Sequence, residues 1–388
     1  FYAHKCIKNN HTLSEIIGLI IGAWCCDDIV SCKKAYQLMD KEIEKQFTQE
    51  GGYIQHSFNY QRFALQLMEF LLKISEKIGI FLSKNSVELI KKSALLMYHL
   101  QDETGDVPNY GSNDGALIFP VTLCDYRDYK SVINAIYVIT QGERLYEYGY
   151  HDEEILWFTN KTLDKLPISG IYKKSVGYKE SGLYSFRHNR GFLMVVLKDF
   201  KTRPGQMDQM HIDLWHKGVN ILCDSGSYSY ATEIGRKMAL TAAHNTVIVE
   251  NKEQMNKHGP FLIYDWTKVK DIDFNGDYFK GTMISKNGYV HRREIKRSSN
   301  GYIIEDIPQG DFESFKVLLH TPCRIEKKEY GADLIHEGNP IAKIITDNYI
   351  ELAESFRSLY YMKKEKINQV IISQSIERSV KIEITLMH

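Results

Sequence analysis

Two histidines and an aspartate in the middle of the chain are spaced so that they could bind one metal ion. His211 and Asp213 lie two residues apart on an extended segment, and the strand-like run 218–223 ends in Asp224. His244 follows twenty residues after that aspartate. Side chains two apart on a strand point the same way, so such groups on neighbouring strands can converge. Imidazole and carboxylate both suit zinc, and the pattern predicts a zinc-type site; hydrogen-bonded structural histidines are the alternative.

The composition is that of an ordinary globular protein. The 388 residues are 43% hydrophobic, and this length suggests two domains that each bury a core. The 49 basic and 49 acidic side chains give a formal net charge of zero. No global positive field attracts nucleic acid, so we expect no such partner, and recognition of an anionic polymer must be local. The 25 tyrosines and 17 phenylalanines suit sugar stacking, although core and strand packing accounts for most of them.

The first part of the chain has helical periodicity. We predict one helix over Thr12–Cys32, a second over Tyr60–Gly79 with a buried apolar stripe, and a third that Asn85 or Ser86 caps. The longest apolar run, 16–26, has 11 residues and is too short to span a bilayer, so we expect no membrane span.

From about Gly170 the pattern changes to short β-rich runs separated by turn signals. Turns of this kind lie at 275–277, 286–288 and 299–301. Their spacing predicts an antiparallel sandwich rather than parallel βαβ units. We place the domain boundary near Pro167, which gives a helical domain of residues 1–166 and a β domain of residues 167–388.

Several motifs, spread over nearly the whole chain, give a resemblance to a known family. They are, besides the segment 203–230, NNHTLSE at 9–15, GGYIQHSFNYQRFALQ at 51–66, VPNYGSNDGALIFP at 107–120, AHNTVIVENKEQM at 243–255 and FLIYDW at 261–266. In this order they resemble the heparinase II/III-like proteins, which are polysaccharide lyases and their relatives from bacterial polysaccharide gene clusters.

The resemblance implies a fold and a setting. The helical domain would be an (α/α) toroid that is incomplete at its start, and an antiparallel β-sandwich would follow, with the substrate cleft between the two. The family's helical domain normally has more chain ahead of the Asn-His motif than the nine residues before Asn10 here, so we expect that the natural protein begins earlier. A periplasmic or secreted location is expected from the family alone.

Eliminative cleavage of a uronate polysaccharide needs three groups. The C6 carboxylate must be neutralised, a base must take the C5 proton, and an acid must protonate the leaving oxygen. By the resemblance, Asn10 matches the asparagine that neutralises the carboxylate, and Tyr60 matches the acid/base. His11 supplies a titratable ring beside Asn10. The alternatives are a helix N-cap role for Asn10 and ordinary packing for Tyr60.

The resemblance also bears on the β domain. His211, Asp224 and His244 match the zinc-binding set of some members. We expect a structural zinc ion, because the proton-transfer candidates lie in the other domain. Gln209 stands where several lyases of the family carry an active-site histidine. A glutamine cannot exchange protons, so either Tyr60 with His11 suffices or the reaction differs.

Six further residues are candidates for substrate binding, each with an alternative. The loop that holds Asn113 and Asp114 lines the cleft in the family, but turn chemistry alone also explains it. A solvated strand end is the alternative for Arg203, and His56 shares the face of Tyr60 only if its helix starts early. The candidates are Glu15, His56, Asn113, Asp114, Arg203 and Gln209.

These observations predict a lyase that cleaves an acidic polysaccharide or oligosaccharide by β-elimination. One alternative is a glycoside hydrolase on the same scaffold, for which Glu15 and Asp114 are the available carboxylates. The other is a non-catalytic glycan-binding or assembly protein, which Gln209 favours. The chemistry of the product distinguishes all three.

Overall fold

A computed structural model describes residues 9–188, 190–250, 252–375 and 379–387. Helices fill the first part of the chain and antiparallel strands the second, as the sequence predicted. In the described residues, no helix is both long enough and apolar enough to span a membrane. The (α/α) toroid and the sandwich arrangement of the sheets stay predictions.

The described residues of the first part of the chain form six α-helices, and each has an apolar side that is buried. They are α1 (Asn10–Cys25), α2 (Ile29–Gln46), α3 (Phe58–Ile78), α4 (Lys84–His99), α5 (Lys130–Gln141) and α6 (Glu153–Phe158). The stripe predicted for α3 is confirmed for Ala64, Leu67, Met68, Leu71 and Ile74, which are buried, whereas Leu72, also predicted, is half-buried.

The predicted helix over 12–32 is wrong, because the structure has two helices there. Asp27 has a positive φ of 56°, which a helix cannot accommodate. Asp28 then caps α2 by accepting a hydrogen bond from the backbone N–H of Ser31. The cap predicted for α4 also differs: Ser83, rather than Asn85 or Ser86, accepts the bond from the first turn.

Nineteen strands and one short helix, α7 (Glu233–Lys237), are described in the second part of the chain. The first strands are β1 (Val176–Tyr178), β2 (Leu183–His188), β3 (Gly191–Val196), β4 (Ile212–His216), β5 (Val219–Leu222), β6 (Val247–Val249), β7 (Asn256–His258), β8 (Leu262–Tyr264), β9 (Lys268–Phe274) and β10 (Tyr278–Ser285). The others are β11 (Tyr289–Ser298), β12 (Gly301–Gly310), β13 (Ser314–Thr321), β14 (Arg324–Lys328), β15 (Gly331–His336), β16 (Asn339–Ile345), β17 (Ile350–Tyr360), β18 (Lys363–Ser375) and β19 (Val380–Leu386).

These strands form antiparallel sheets. Strands β1 to β5 form a five-stranded sheet in chain order. An eight-stranded sheet has the order β14-β15-β16-β19-β12-β11-β10-β9, a four-stranded sheet has the order β17-β18-β13-β6, and β7 pairs with β8. The predicted turns at 275–277, 286–288 and 299–301 are confirmed, because each joins two neighbouring strands of the eight-stranded sheet.

One apolar core joins the three larger sheets. Leu193 of β3, Phe279 of β10 and Val317 of β13 belong to it, and all are inaccessible to solvent. Every side chain of β3 is buried, so this strand is covered on both faces. The core therefore fixes the ends of β4 and β5, where the predicted metal ligands lie.

The chain divides into two compact units. Helices α1 to α6 belong to the first, which includes the segments 105–107 and 115–173. The second comprises the chain from Lys174 onward and two pieces of the long loop, 102–104 and 108–114. The domain boundary predicted at 166/167 stays a prediction.

Candidate functional site

His211, Asp224 and His244 converge at one end of the five-stranded sheet. His211 directly precedes β4 and Asp224 closely follows β5. These strands pair antiparallel, so the start of one lies beside the end of the other. His244 arrives on the segment before β6. One ligand atom of each residue lies within 4.8 Å of the others, and all three side chains are buried.

The carboxylate of Asp224 lies at the centre of this group. Its Oδ2 is 2.7 Å from Nδ1 of His244 and 3.7 Å from Nε2 of His211. The two imidazole rings are nearly perpendicular, at 82°, with their centroids 5.7 Å apart. Among the described residues, the buried Nε2 atoms of both histidines have no hydrogen-bond partner. Such nitrogens are costly unless a proton acceptor or a cation satisfies them.

Hydrogen bonding defines the tautomer of His211. Its Nδ1 accepts the backbone N–H of Asn245 at 2.9 Å, so Nε2 carries the proton of the neutral ring. That proton points toward Oδ2 of Asp213 and of Asp224, each 3.7 Å away. A cation at this point would replace the proton, as metal binding to a protonated ligand requires. The donor set is chemically suitable for zinc under that condition.

Electrostatic interactions couple the buried carboxyl groups and histidines of the site. Burial alone would raise the pKa of Asp224, but His244, with which it hydrogen-bonds, and His211 hold the pKa below its usual value. Burial likewise opposes protonation of His244, yet Asp224 raises its pKa. Burial raises the pKa of nearby Asp208 to about 6, and the charge of Asp224 adds to that rise while His244 opposes it. The carboxyl groups of Asp208 and Asp224 therefore interact with His211 and His244 in one buried region.

Asn245 holds the three segments of the site together, and the sequence analysis did not single it out. Its Nδ2 donates to the carbonyls of Ile212, at 2.8 Å, and of Cys223, at 3.1 Å. Its Oδ1 accepts the backbone N–H of His320 at 2.6 Å. The only indication of this role in the sequence was the position of Asn245 directly after His244.

A buried ion pair supports the same region. Arg293 lies opposite Asp306 in the pairing of β11 with β12, and both are inaccessible to solvent. Nε and Nη2 of the arginine donate to the aspartate at 2.6 and 2.9 Å. Its Nη1 donates to the carbonyl oxygens of Asn245, at 2.9 Å, and of Met210. The residues flanking both histidines are thus fixed from the eight-stranded sheet.

The buried side-chain amide of Gln209 hydrogen-bonds to two other segments of the chain, at Lys198 and Thr267. Its Oε1 accepts the N–H of Lys198 at 2.8 Å, and its Nε2 donates to the carbonyl of Lys198 at 2.6 Å and to Thr267 at 3.0 Å. The side chain is fully buried. These contacts give it a structural role, and the substrate role stays a prediction.

The first unit places Asn10 at the first position of α1. Asn9, rather than Asn10, is the N-cap, since its side chain accepts the N–H of His11 at 3.1 Å. The capping alternative for Asn10 is therefore wrong. The side chain of Asn10 is only 8% exposed, and its Oδ1 has no hydrogen-bond partner in the described part of the chain. His11 and Glu15 are exposed, one helical turn apart on the same face.

Tyr60 lies in the first turn of α3, where its N–H donates to the capping side chain of Ser57 at 3.2 Å. His56 precedes this helix with a φ of 52°, so it does not share a helical face with Tyr60. The same segment reaches Asn10, whose backbone N–H donates to Oε1 of Gln55 at 3.2 Å. The predicted residues Asn10 and Tyr60 therefore lie on directly bonded segments of one unit.

Of the remaining candidates, Asn113 lies beside the turn that follows Asp224. Its backbone N–H donates to Ser227 at 3.0 Å, and its side chain is buried. Asp114 is partly exposed, and Arg203 is exposed. Substrate contacts by these residues stay predictions.

One family model matches the chain. A sequence model described as the C-terminal part of heparinase II/III-like proteins matches residues 172–383. None of the curated proteins matches the chain.

Solved structures share the fold. A heparinase III gene product superimposes with a TM-score of 0.73 at 18% identity, over 97% of this chain and 58% of its own. The heparan sulfate lyase of Pedobacter heparinus gives 0.70 at 13% identity, over 92% of this chain and 56% of its own. A chondroitinase AC lyase gives 0.59 at 8% identity, over 97% of this chain and 61% of its own. The chain thus spans less than two thirds of the length of these structures.

Proposed function

The chain belongs to the heparinase II/III-like family, and from this we propose that it is a polysaccharide lyase that cleaves an acidic, uronate-containing polysaccharide by β-elimination. The observation that carries the proposal is the hydrogen bond between the Asn10 backbone and Gln55, which joins the start of α1 to the segment leading into Tyr60. Two side chains with the required chemistry therefore belong to adjoining segments. The fold shared with solved lyases supports the same reaction class.

In the proposed reaction, the carboxamide of Asn10 donates a hydrogen bond to the uronate carboxylate. This lowers the cost of developing charge when the C5 proton leaves. The phenolate of Tyr60 takes that proton, and the resulting phenol then protonates the departing glycosidic oxygen. His11, exposed beside Asn10, adds a second polar group toward the carboxylate.

We also propose that His211, Asp224 and His244 hold a structural zinc ion. The support is their convergence and burial, together with the partnerless Nε2 atoms among the described residues. A bound ion would supply cross-linking of three chain segments, and no step of the elimination uses it. The hydrogen bonds of the Gln209 and Asn245 side chains already orient these segments.

The deciding experiment incubates the protein separately with heparan sulfate, chondroitin sulfate and alginate and follows the absorbance of unsaturated uronate. Rising absorbance with any polymer establishes the lyase. Shorter chains without absorbance would instead establish a hydrolase, and unchanged polymer would favour the binding protein. A periplasmic or secreted location stays a prediction.

A further inference from the structure

Three aromatic side chains of the second unit form a patch that the proposed chemistry does not use. We define the aromatic patch as Tyr230, Phe261 and Tyr361. The ring of Tyr230 packs edge-on against Phe261 at 5.2 Å between centroids and lies 6.2 Å from Tyr361. These residues come from three separate segments of the chain, so tertiary folding alone assembles them.

The patch is partly exposed to solvent. Phe261 is 51% exposed, whereas Tyr230 and Tyr361 are half-buried. Leaving such apolar area in water costs about 25 cal/mol per Å². Contiguous exposed aromatic surface is a feature of binding sites.

The patch is anchored to the turn that follows Asp224. The N–H of Met362 donates to the carbonyl of Tyr228, and the N–H of Ser358 donates to that of Ser225, both at 2.8 Å. The hydroxyls of Ser229 and Tyr361 are 3.5 Å apart. Because these bonds hold backbone to backbone, the rings are presented by a fixed surface rather than by a loose loop.

Two lysines, Lys363 and Lys364, closely follow Tyr361 in the chain, and Nζ of Lys364 lies 5.9 Å from the ring centroid of Tyr228 in the turn that anchors the patch. Nζ of Lys363 lies 5.6 Å from the ring centroid of Tyr360, and Nζ of Lys364 lies 4.8 Å from that of Phe356. Neighbouring cations are paired, for instance Lys366 with Glu354. In the part of the chain that the structure describes, neither Lys363 nor Lys364 has a carboxylate within ion-pair distance.

We infer that the aromatic patch with Lys363 and Lys364 is a binding subsite for an acidic sugar residue of the polysaccharide. Aromatic faces stack on the apolar face of a pyranose ring, and the two ammonium groups complement a carboxylate or sulfate on the same or the next residue. The choice of a sugar as the occupant rests on the proposed function. The unpartnered cations select an anionic sugar over a neutral one.

The test measures binding in the Tyr60→Phe background, so that no turnover disturbs it. Retardation in native gels containing heparan sulfate, alginate or neutral dextran gives a Kd for each polymer. We expect retention by at least one acidic polymer and none by dextran. Phe261→Ala and Tyr361→Ala should each weaken that binding about tenfold, the effect of about one aromatic contact. Lys363→Gln with Lys364→Gln should reduce the dependence of the Kd on salt concentration.

A matched control lies at the other end of β17. Tyr349 is 72% exposed, and Nζ of Lys327 lies 4.2 Å from its ring centroid. Tyr349 precedes β17 and Tyr360 ends it, so the two lie eleven residues and about 36 Å apart at 3.3 Å per residue. Tyr349→Ala and Lys327→Gln should leave the Kd unchanged, and melting curves of all variants identify any that fail to fold.

The outcomes separate this inference from the proposed function. If the parent protein produces the absorbance of unsaturated uronate but the patch variants leave the Kd unchanged, the subsite is wrong and the proposed lyase activity stands. Binding that the patch variants weaken, without absorbance in the parent protein, supports the subsite and rejects the lyase. No binding to any acidic polymer overturns the subsite. A concentration-dependent dimer that Phe261→Ala abolishes would also overturn it, because a second copy would then be the occupant.

Discussion

The proposed chemistry depends at the residue scale on the phenol of Tyr60. Tyr60→Phe removes a single oxygen atom and keeps the ring, so we expect turnover to fall by about 10²-fold or more with an unchanged melting temperature. The initial rate of absorbance on the best polymer measures this. Tyr150→Phe is the control, because Tyr150 belongs to the same unit and is 72% exposed. Wild-type rates in Tyr60→Phe would exclude the assigned acid/base.

A second residue-scale prediction concerns Glu69, which is fully buried on α3. Burial, and then the neighbouring carboxyl of Glu154, raise the pKa of Glu69 well above its usual 4.5. The folded state therefore holds a proton that the unfolded chain releases, so stability falls as pH rises above about 4.5. Glu69→Gln cannot ionise, and we expect it to raise the free energy of unfolding at pH 7 by about 1–3 kcal/mol.

Urea unfolding at pH 4 and pH 7 measures the effect of Glu69→Gln. The gain should be smaller at pH 4, where the unfolded chain also keeps most of its proton. Glu76→Gln is the control, because Glu76 lies on the same helix with its side chain 51% exposed. A gain that is independent of pH would contradict the explanation by ionisation.

At the scale of secondary-structure elements, the pairing of β11 with β12 places Arg293 opposite Asp306. Burial would raise the pKa of Asp306, but Arg293 and His291 lower it to about 2. Because the folded pKa is depressed, this stabilisation is present above the unfolded value of about 3.8 and is lost as pH falls toward 2. Asp306→Asn leaves the guanidinium buried without its counter-ion and should destabilise the fold by about 3–5 kcal/mol at pH 7.

Denaturant unfolding at pH 7 and pH 2.5 tests Asp306→Asn, and the difference from the parent protein should shrink at the lower pH. Asp277→Asn is the matched control, since Asp277 pairs with Arg297 at 2.8 Å but its side chain is 69% exposed. Surface pairs of that kind contribute at most about 1 kcal/mol. Equal effects of the two variants would refute a special role for the buried pair.

The proposed metal site belongs to the scale of the whole second unit, because its three candidate ligands come from segments far apart in the chain. If zinc is bound, a chelator should lower the melting temperature of the parent protein by several degrees, since metal binding adds to the free energy of folding. His244→Ala should melt lower, and the chelator should then have no effect. His258→Ala, at an exposed histidine of the same unit, should behave as the parent protein. Identical melting curves with and without chelator would exclude a bound structural metal.

The sequence by itself determined the order of helices followed by antiparallel sheets. Helical and strand periodicities and Asn-Gly turns are local signals, and nearby residues suffice to read them. It also indicated that two histidines and a carboxylate could converge, because alternation along strands is local too, and the family resemblance selected His211, Asp224 and His244. The family resemblance supplied the roles of Asn10 and Tyr60.

Only the tertiary structure decided the remaining features, because each depends on partners distant in sequence. The apolar run through Cys26 concealed the helix break at Asp27, which a positive φ imposes. The side-chain amide of Gln209 hydrogen-bonds to the backbone of Lys198, a structural role that no local pattern indicated. The aromatic patch joins Tyr230, Phe261 and Tyr361 across more than a hundred residues. Long-range packing selects such contacts, and no local pattern encodes them.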